Sequence, residues 1–287
     1  MPDAQTVLAC DLGGTWLRVA EVTRDGAILW DDRKPTVREF ERDMELVLEM
    51  AQRRTGSVAA AAVACPGPLD WHTGEVIKAA NLNWVNQFPG KPLEEELGVP
   101  VAVENDADCA ALAEWRYGAG RDSQLEVFYG VGTGVGAGVV EEGHIFHGVF
   151  DPEFGHQILA PNSERVCTAG HRGCLEALIS GRALESAYGS IREVPEEVWT
   201  ETVPLHLGQA LANATLFLSP DAIVVGGGVL DHRPELLPPA TRTMMVMLND
   251  FVTPPRVLLS ELGPEMGVLG AAAAAWNLVG SPKGGES

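Results

Sequence analysis

Asp11-Leu12-Gly13-Gly14-Thr15 closes a short apolar run at 6–10, and Gly130-Val131-Gly132-Thr133-Gly134 closes another at 125–129. After the first, the chain resumes as an apolar run at 16–22, turns at Arg24-Asp25-Gly26 and continues at 27–30. After the second, a further strand follows the glycines, and Glu141-Glu142-Gly143 turns into Ile145. Both stretches read as strand, tight turn, strand, turn, strand. A unit written twice in one chain points to a duplicated α/β fold.

Outward from these two units, Phe40, Met44, Val47, Leu48 and Ala51 recur at helical spacing, and Gly56 stops that helix. Buried-strand runs at 58–64 and 99–103 lead into Cys65-Pro66-Gly67-Pro68 and Glu104-Asn105-Asp106. An alanine-rich helix then runs to Tyr117. In the second half, helices are expected at 176–189, 203–218 and 234–251. Strands are expected at 222–225, before Gly226-Gly227-Gly228, and at 256–259. A closing helix is expected at 266–278, and only 281–287 reads as frayed.

Composition narrows the function. The chain has 287 residues, is 46% hydrophobic and carries a net charge of −20. Its length suits one large or two medium domains, and its acidity argues against nucleic acid or an anionic membrane as partner. The scattered Cys10, Cys65, Cys109, Cys167 and Cys174 do not read as a disulfide framework. Without a basic-then-apolar leader or a spanning run, the expected location is the cytoplasm.

Three glycine-rich turns, at 13–14, 132–136 and 226–228, each follow a strand. Glycine lets backbone N–H groups approach phosphate, so together the turns favour nucleotide binding. None matches a P-loop or a dinucleotide fingerprint. Asp11 is suited to holding Mg²⁺ through water, and Thr15 and Thr133 offer hydroxyls to phosphate. Asn105-Asp106, where a strand gives way to a helix, suits either a helix cap or a catalytic carboxylate accepting a hydroxyl proton.

Asp11-Leu12-Gly13-Gly14-Thr15, Glu104-Asn105-Asp106-Ala107, Gly132-Thr133-Gly134, Glu153-Phe154-Gly155-His156, Gly173-Cys174-Leu175-Glu176 and Gly226-Gly227-Gly228 occur in one order. That series resembles the repressor/open-reading-frame/kinase (ROK) family over about 6–278. The resemblance implies an actin-like ATPase fold (ribonuclease H-like), with duplicated β-β-β-α-β-α units in two domains that close over a cleft. The smaller domain is expected at 1–117, with the closing helix 266–280 packed on it, and the larger at 118–265. The implied activity is ATP-dependent phosphorylation of a hexose, with glucose ahead of N-acetylmannosamine or another hexose and with polyphosphate as an alternative donor. Asp106 would be the base and Asn105 would fix an adjacent hydroxyl. Gly67, Glu153, His156 and Glu176 would complete the sugar wall. Gly13, Gly14, Thr15, Gly132, Thr133 and Gly134 would cradle phosphates, and Gly227 and Gly228 would lie against the adenosine. A homodimer or higher homo-oligomer is the expected assembly.

The family's zinc motif is a histidine followed by Cys-x-Cys-Gly-x-x-Gly-Cys. Here His156, Cys167, Gly170, Gly173 and Cys174 match, while Ala169 stands where the middle cysteine belongs and His171 sits in the same loop. Either zinc is kept, with His171 or water as fourth ligand, or the site has lost its metal. The rival readings are a sugar-responsive repressor, for which five residues before Thr6 leave no DNA-binding element, and a catalytically silent sugar-binding protein.

Overall fold

The computed structural model describes residues 5–149 and 151–280. The expected frayed stretch at 281–287 lies outside the described residues. The described residues divide into two compact units, one within Met1–Tyr117, His147–Asp151 and Pro264–Ser287, the other within Gly118–Phe146 and Pro152–Gly263.

The first unit begins with β1 (Thr6–Leu12), β2 (Trp16–Thr23), β3 (Ile28–Pro35), α1 (Phe40–Ala51) and β4 (Ala61–Cys65). It continues through β5 (Leu69–Asp70), β6 (Glu75–Ala79), β7 (Trp84–Gln87), α2 (Gly90–Leu97), β8 (Val101–Asn105) and α3 (Asp106–Tyr117). The main sheet runs β3-β2-β1-β4-β8. The β1–β2 and β2–β3 pairs are antiparallel, and β1–β4 and β4–β8 are parallel. Every residue of β4 is buried, as a central parallel strand covered on both faces requires. Edge strand β3 instead alternates and carries Asp31, Asp32, Arg33 and Lys34, charges that discourage pairing with another chain.

The second unit holds β9 (Leu125–Val131), β10 (Val135–Glu141), β11 (His144–Ile145), α4 (Leu175–Ile179), α5 (Gly181–Tyr188) and α6 (Val203–Leu218). It closes with β12 (Ala222–Gly226), α7 (Gly228–His232), α8 (Leu237–Leu248) and β13 (Arg256–Leu259). Its sheet, β11-β10-β9-β12-β13, repeats the first in order and sense. Leu175, Ile179, Leu207, Leu211, Val225 and Met244 form part of its core.

The last described element, α9 (Met266–Gly280), packs in the first unit against α3, β1, β4 and β8. Val268, Leu269 and the run from Ala271 to Trp276 are buried, and Trp276 Nε1 donates to the Thr23 carbonyl at 3.2 Å.

Several elements differ from the sequence reading. The expected helix 176–189 breaks at Ser180, whose hydroxyl accepts the Ala183 N–H and starts α5 afresh. A three-stranded sheet, β5-β6-β7, occupies a stretch with no expected elements. His147–Asp151, expected within 118–265, groups with the first unit. There His147 stacks on Trp71 at 4.4 Å and lies 3.5 Å from Glu104. Among the described residues, no helix is long and apolar enough to cross a membrane.

Candidate active site

In the first unit, three parallel strands end side by side. Asp11 on β1 pairs in register with Ala64 on β4, and Cys65 at the end of β4 pairs with Asn105 at the end of β8. Ligands of α/β sheets gather at such carboxyl ends. The Gly13–Thr15 turn is held from several sides. The Gly13 N–H donates to the Trp16 carbonyl at 2.9 Å, and the Thr36 hydroxyl donates to the Gly13 carbonyl at 2.6 Å. The Arg38 guanidinium donates to the Gly14 carbonyl at 3.2 Å. Gly67 faces the Asn105 amide, with its β-position 3.1 Å from Nδ2.

The cap and the candidate base are neighbouring residues. Asn105 Oδ1 accepts the Ala107 N–H at 2.8 Å, so Asn105 serves the start of α3 and Asp106 is not needed for that bond. Asp106 is exposed. Desolvation raises its carboxyl above the usual range, opposed by the Ala107 N–H and its own N–H; its exposure lets water weaken that push. Asp11 is pushed up to about 6, chiefly by burial, then by the charge of Asp106, with Arg18 opposing. Arg18 lies across the ladder from Asp11 and is held by Asp31 at 2.8 Å and Glu265 at 2.7 Å.

In the second unit, the turn between β9 and β10 meets the start of α7. The Gly132 N–H donates to the Gly134 carbonyl at 2.9 Å. The carbonyls of Gly132 and Thr133 accept the N–H groups of Gly181 and Arg182 at 2.8 and 3.2 Å. Gly227, at φ 89°, lies against the Val131 backbone; only glycine takes that conformation cheaply. A cavity of about 850 Å³ opens beside these turns, lined by Thr133, Arg182, Trp199, Gly228, His232 and Arg233 among others. The Arg233 guanidinium lies 4.6 Å from the Trp199 ring centroid and reaches both Glu196 oxygens at 3.1 Å. The cavity thus brings together an aromatic ring, guanidinium groups and glycine-rich turns, a set suited to a nucleotide.

Glu176, in the first turn of α4, accepts the Val135 N–H at 3.1 Å and the Thr168 hydroxyl at 3.3 Å. Glu153 is exposed, with an oxygen 4.0 Å from His156 Nε2. The opposite nitrogen, His156 Nδ1, lies 3.7 Å from Cys167 Sγ and 3.8 Å from Cys174 Sγ. His171 Nδ1 lies 3.8 Å from Cys167 Sγ, and His156, Cys167 and His171 present ligand atoms within 4.8 Å of one another. Two imidazoles and the Cys167 thiol offer three ligand atoms to one point, with Cys174 Sγ beside His156, a donor set of the kind that holds zinc. The Cys174 thiol is pushed up to about 11 by burial, with Cys167 adding to the rise and the Ala177 N–H opposing it.

The ROK family model matches residues 7–277. The chain belongs to the ROK family. The chain is 30% identical to a fructokinase of Zymomonas mobilis, over 92% of this chain and 94% of that protein. It is 29% identical to a glucokinase of Halalkalibacterium halodurans, covering 91% and 92%. Among solved structures, a ROK hexokinase from Thermus thermophilus superposes with a TM-score of 0.82 at 32% identity, covering 96% of this chain and 99% of that one. A ROK-family glucokinase from Streptomyces griseus, in complex with glucose and AMPPNP, gives 0.77 at 27% identity, covering 95% and 99%. The repeated sheets are those of the actin-like ATPase fold that ROK sugar kinases share.

Within this ROK chain, the structure adds residues that spacing did not reveal. Arg182 on α5, Trp199, and the neighbours His232 and Arg233 at the end of α7 meet only in the folded cavity. Gly267 at the start of α9 is another: a β-carbon there would sit 2.6 Å from the Asp11 carboxyl carbon. The one visible signal for it was the glycine-rich opening of the closing helix, Met266-Gly267-Val268-Leu269-Gly270.

Proposed function

We propose that the chain transfers the terminal phosphoryl group of ATP to a hydroxyl of glucose, with Asp106 as general base. The chain is an ATP-dependent sugar kinase of the ROK family; the acceptor and the residue roles are the proposal. The observation that carries it is the start of α3, where Asn105 Oδ1 takes the Ala107 N–H and the neighbouring Asp106 is an exposed carboxylate with raised proton affinity. As the sugar oxygen bonds to phosphorus, its proton passes to Asp106 and the bond to ADP breaks. The gain comes from positioning and charge stabilisation.

Asn105 and Gly67 are assigned to the sugar in the first unit, and Glu153, His156 and Glu176 in the second. Asp11 is assigned to Mg²⁺ through water, and Gly13, Gly14, Thr15, Gly132, Thr133 and Gly134 to the phosphates. Gly227 and Gly228 are assigned to the adenosine, Gly228 lining the same cavity as Trp199. Zinc would be held by His156, Cys167, His171 and Cys174, and when bound it would fix the His156 ring. His156 Nε2 is then left on the side of Glu153, where it can meet a sugar hydroxyl. The proposed assembly is a homo-oligomer, for which exposed Phe217, Val246 and Phe251 offer an apolar surface.

Fructose is the competing acceptor, since the Zymomonas mobilis relative is named a fructokinase. A coupled ADP assay over glucose, fructose, mannose and N-acetylmannosamine separates the readings. Glucose should give the highest kcat/KM; a clear preference for fructose would replace it. Omitting ATP and supplying polyphosphate should give no turnover.

A further inference from the structure

The first unit holds a second group of ionisable side chains, none of them assigned to sugar, nucleotide or zinc. Asp108 on α3, His147 and Asp151 offer ligand atoms that lie within 4.8 Å of one another. Asp108 is 1% exposed, and the His147 and Asp151 side chains are 11% and 13% exposed. His147 Nδ1 lies 2.8 Å from Asp151 Oδ1, and its Nε2 lies 3.5 Å from Glu104 Oε2. The Trp71 ring stacks on His147 with 9° between the planes, so the imidazole is held in one orientation. Glu104 Oε2 is enclosed and takes part in no hydrogen bond, an expensive arrangement for a carboxylate oxygen unless a cation meets it.

We propose that Asp108, His147 and Asp151, with Glu104 beside them, form a site for a transition-metal dication such as Mn²⁺. Three carboxylates around one imidazole carry excess negative charge, and burial makes that costly. A protonated imidazole cancels one charge, and a dication cancels two. One nitrogen among oxygens suits Mn²⁺ better than Mg²⁺, which prefers an all-oxygen shell with several waters. Glu104 and Asp108 flank Asp106 in sequence, two residues to either side. A cation here would therefore brace the strand-to-helix junction that carries the base, making these four residues positioning residues.

The test is Mn²⁺ binding to the full chain without nucleotide or sugar, followed by loss of the free-ion paramagnetic resonance signal. Cys167→Ser and Asp11→Asn serve as controls for the zinc loop and the magnesium carboxylate. The expected result is one Mn²⁺ per chain that both controls retain and that His147→Gln and Asp151→Asn each weaken by at least about tenfold. Mn²⁺ should also raise the melting temperature of the parent and not that of these two variants. Circular dichroism checks their folding, and Asp151→Asn, on a partly exposed segment, supplies the reading if His147→Gln does not fold. Absence of Mn²⁺ binding in the parent, or equal binding in the parent and a folded variant of either kind, would overturn the proposal.

Discussion

Asp106 and Asp11 are carboxylates of one unit whose proton affinities are both raised, Asp106 by desolvation and Asp11 by burial and then by the charge of Asp106. For Asp106 the consequence is kinetic. Asp106→Asn should fold, retain sugar binding and lose ~10²–10⁴-fold in kcat, the usual worth of a placed general base. Because the base works ionised and its carboxyl is raised, kcat/KM should fall on the acid side with a midpoint above the ordinary aspartate value of about 3.9. A pH–rate profile flat down to pH 4 would remove Asp106 from the mechanism. For Asp11 the consequence is stability. Its folded-state value of about 6 exceeds its ordinary value of 3.8, so the folded chain holds this proton more tightly than the unfolded one. That contribution is fully present below the ordinary value and is lost as pH rises through about 6. Asp11→Asn should therefore gain melting temperature relative to the parent between pH 4.5 and pH 7.5 without magnesium. Parallel melting curves for the two proteins would deny the shift.

At the scale of elements, the opening of α9 sets the space around Asp11. Gly267→Ala should favour the helix by up to about 1 kcal/mol, yet its β-carbon would press on the Asp11 carboxylate. Since that carboxylate can rotate, the displacement should outweigh any loss of fold. Unchanged or higher melting temperature with a severalfold higher magnesium requirement is expected, and an unaltered magnesium titration would separate Gly267 from the site. The zinc loop makes its own prediction. Protein purified without chelator should carry about one zinc per chain, and His171→Ala should weaken it about 10–100-fold in competition with a coloured chelator. Zinc near zero in the parent would mean that Ala169 marks a lost site. Strands and turns of the repeated β-β-β stretches were legible because apolar runs broken by Arg24-Asp25-Gly26 or Glu141-Glu142-Gly143 allow few other readings. The break between α4 and α5 was hidden, since Leu178, Ile179 and Leu184 stay buried on both sides of Ser180. The β5-β6-β7 sheet was hidden too, its strands as short as the two residues of β5 and so below any readable period.

Over the whole molecule, the repeat was visible because it lies in local turns, whereas convergence of distant residues was not. Asn105-Asp106 could be placed at a strand end from spacing alone. The assignment of the cap to Asn105 needed the Ala107 N–H, and the lining of the large cavity needed Arg182, Trp199 and Arg233 brought together from three elements. The docking of α9 on β1 is the longest-range of these convergences, and it bears on how the protein is made. A ribosome adds roughly 5–20 residues per second. The strand carrying Asp11 leaves the exit tunnel well before the helix that covers it, which is translated on the order of ten seconds or more later. The elements of the second unit, which precede that helix in translation, can settle during the wait. Newborn chains therefore expose the apolar flank of β1 longest, and a chaperone guarding this protein during synthesis would find its work there.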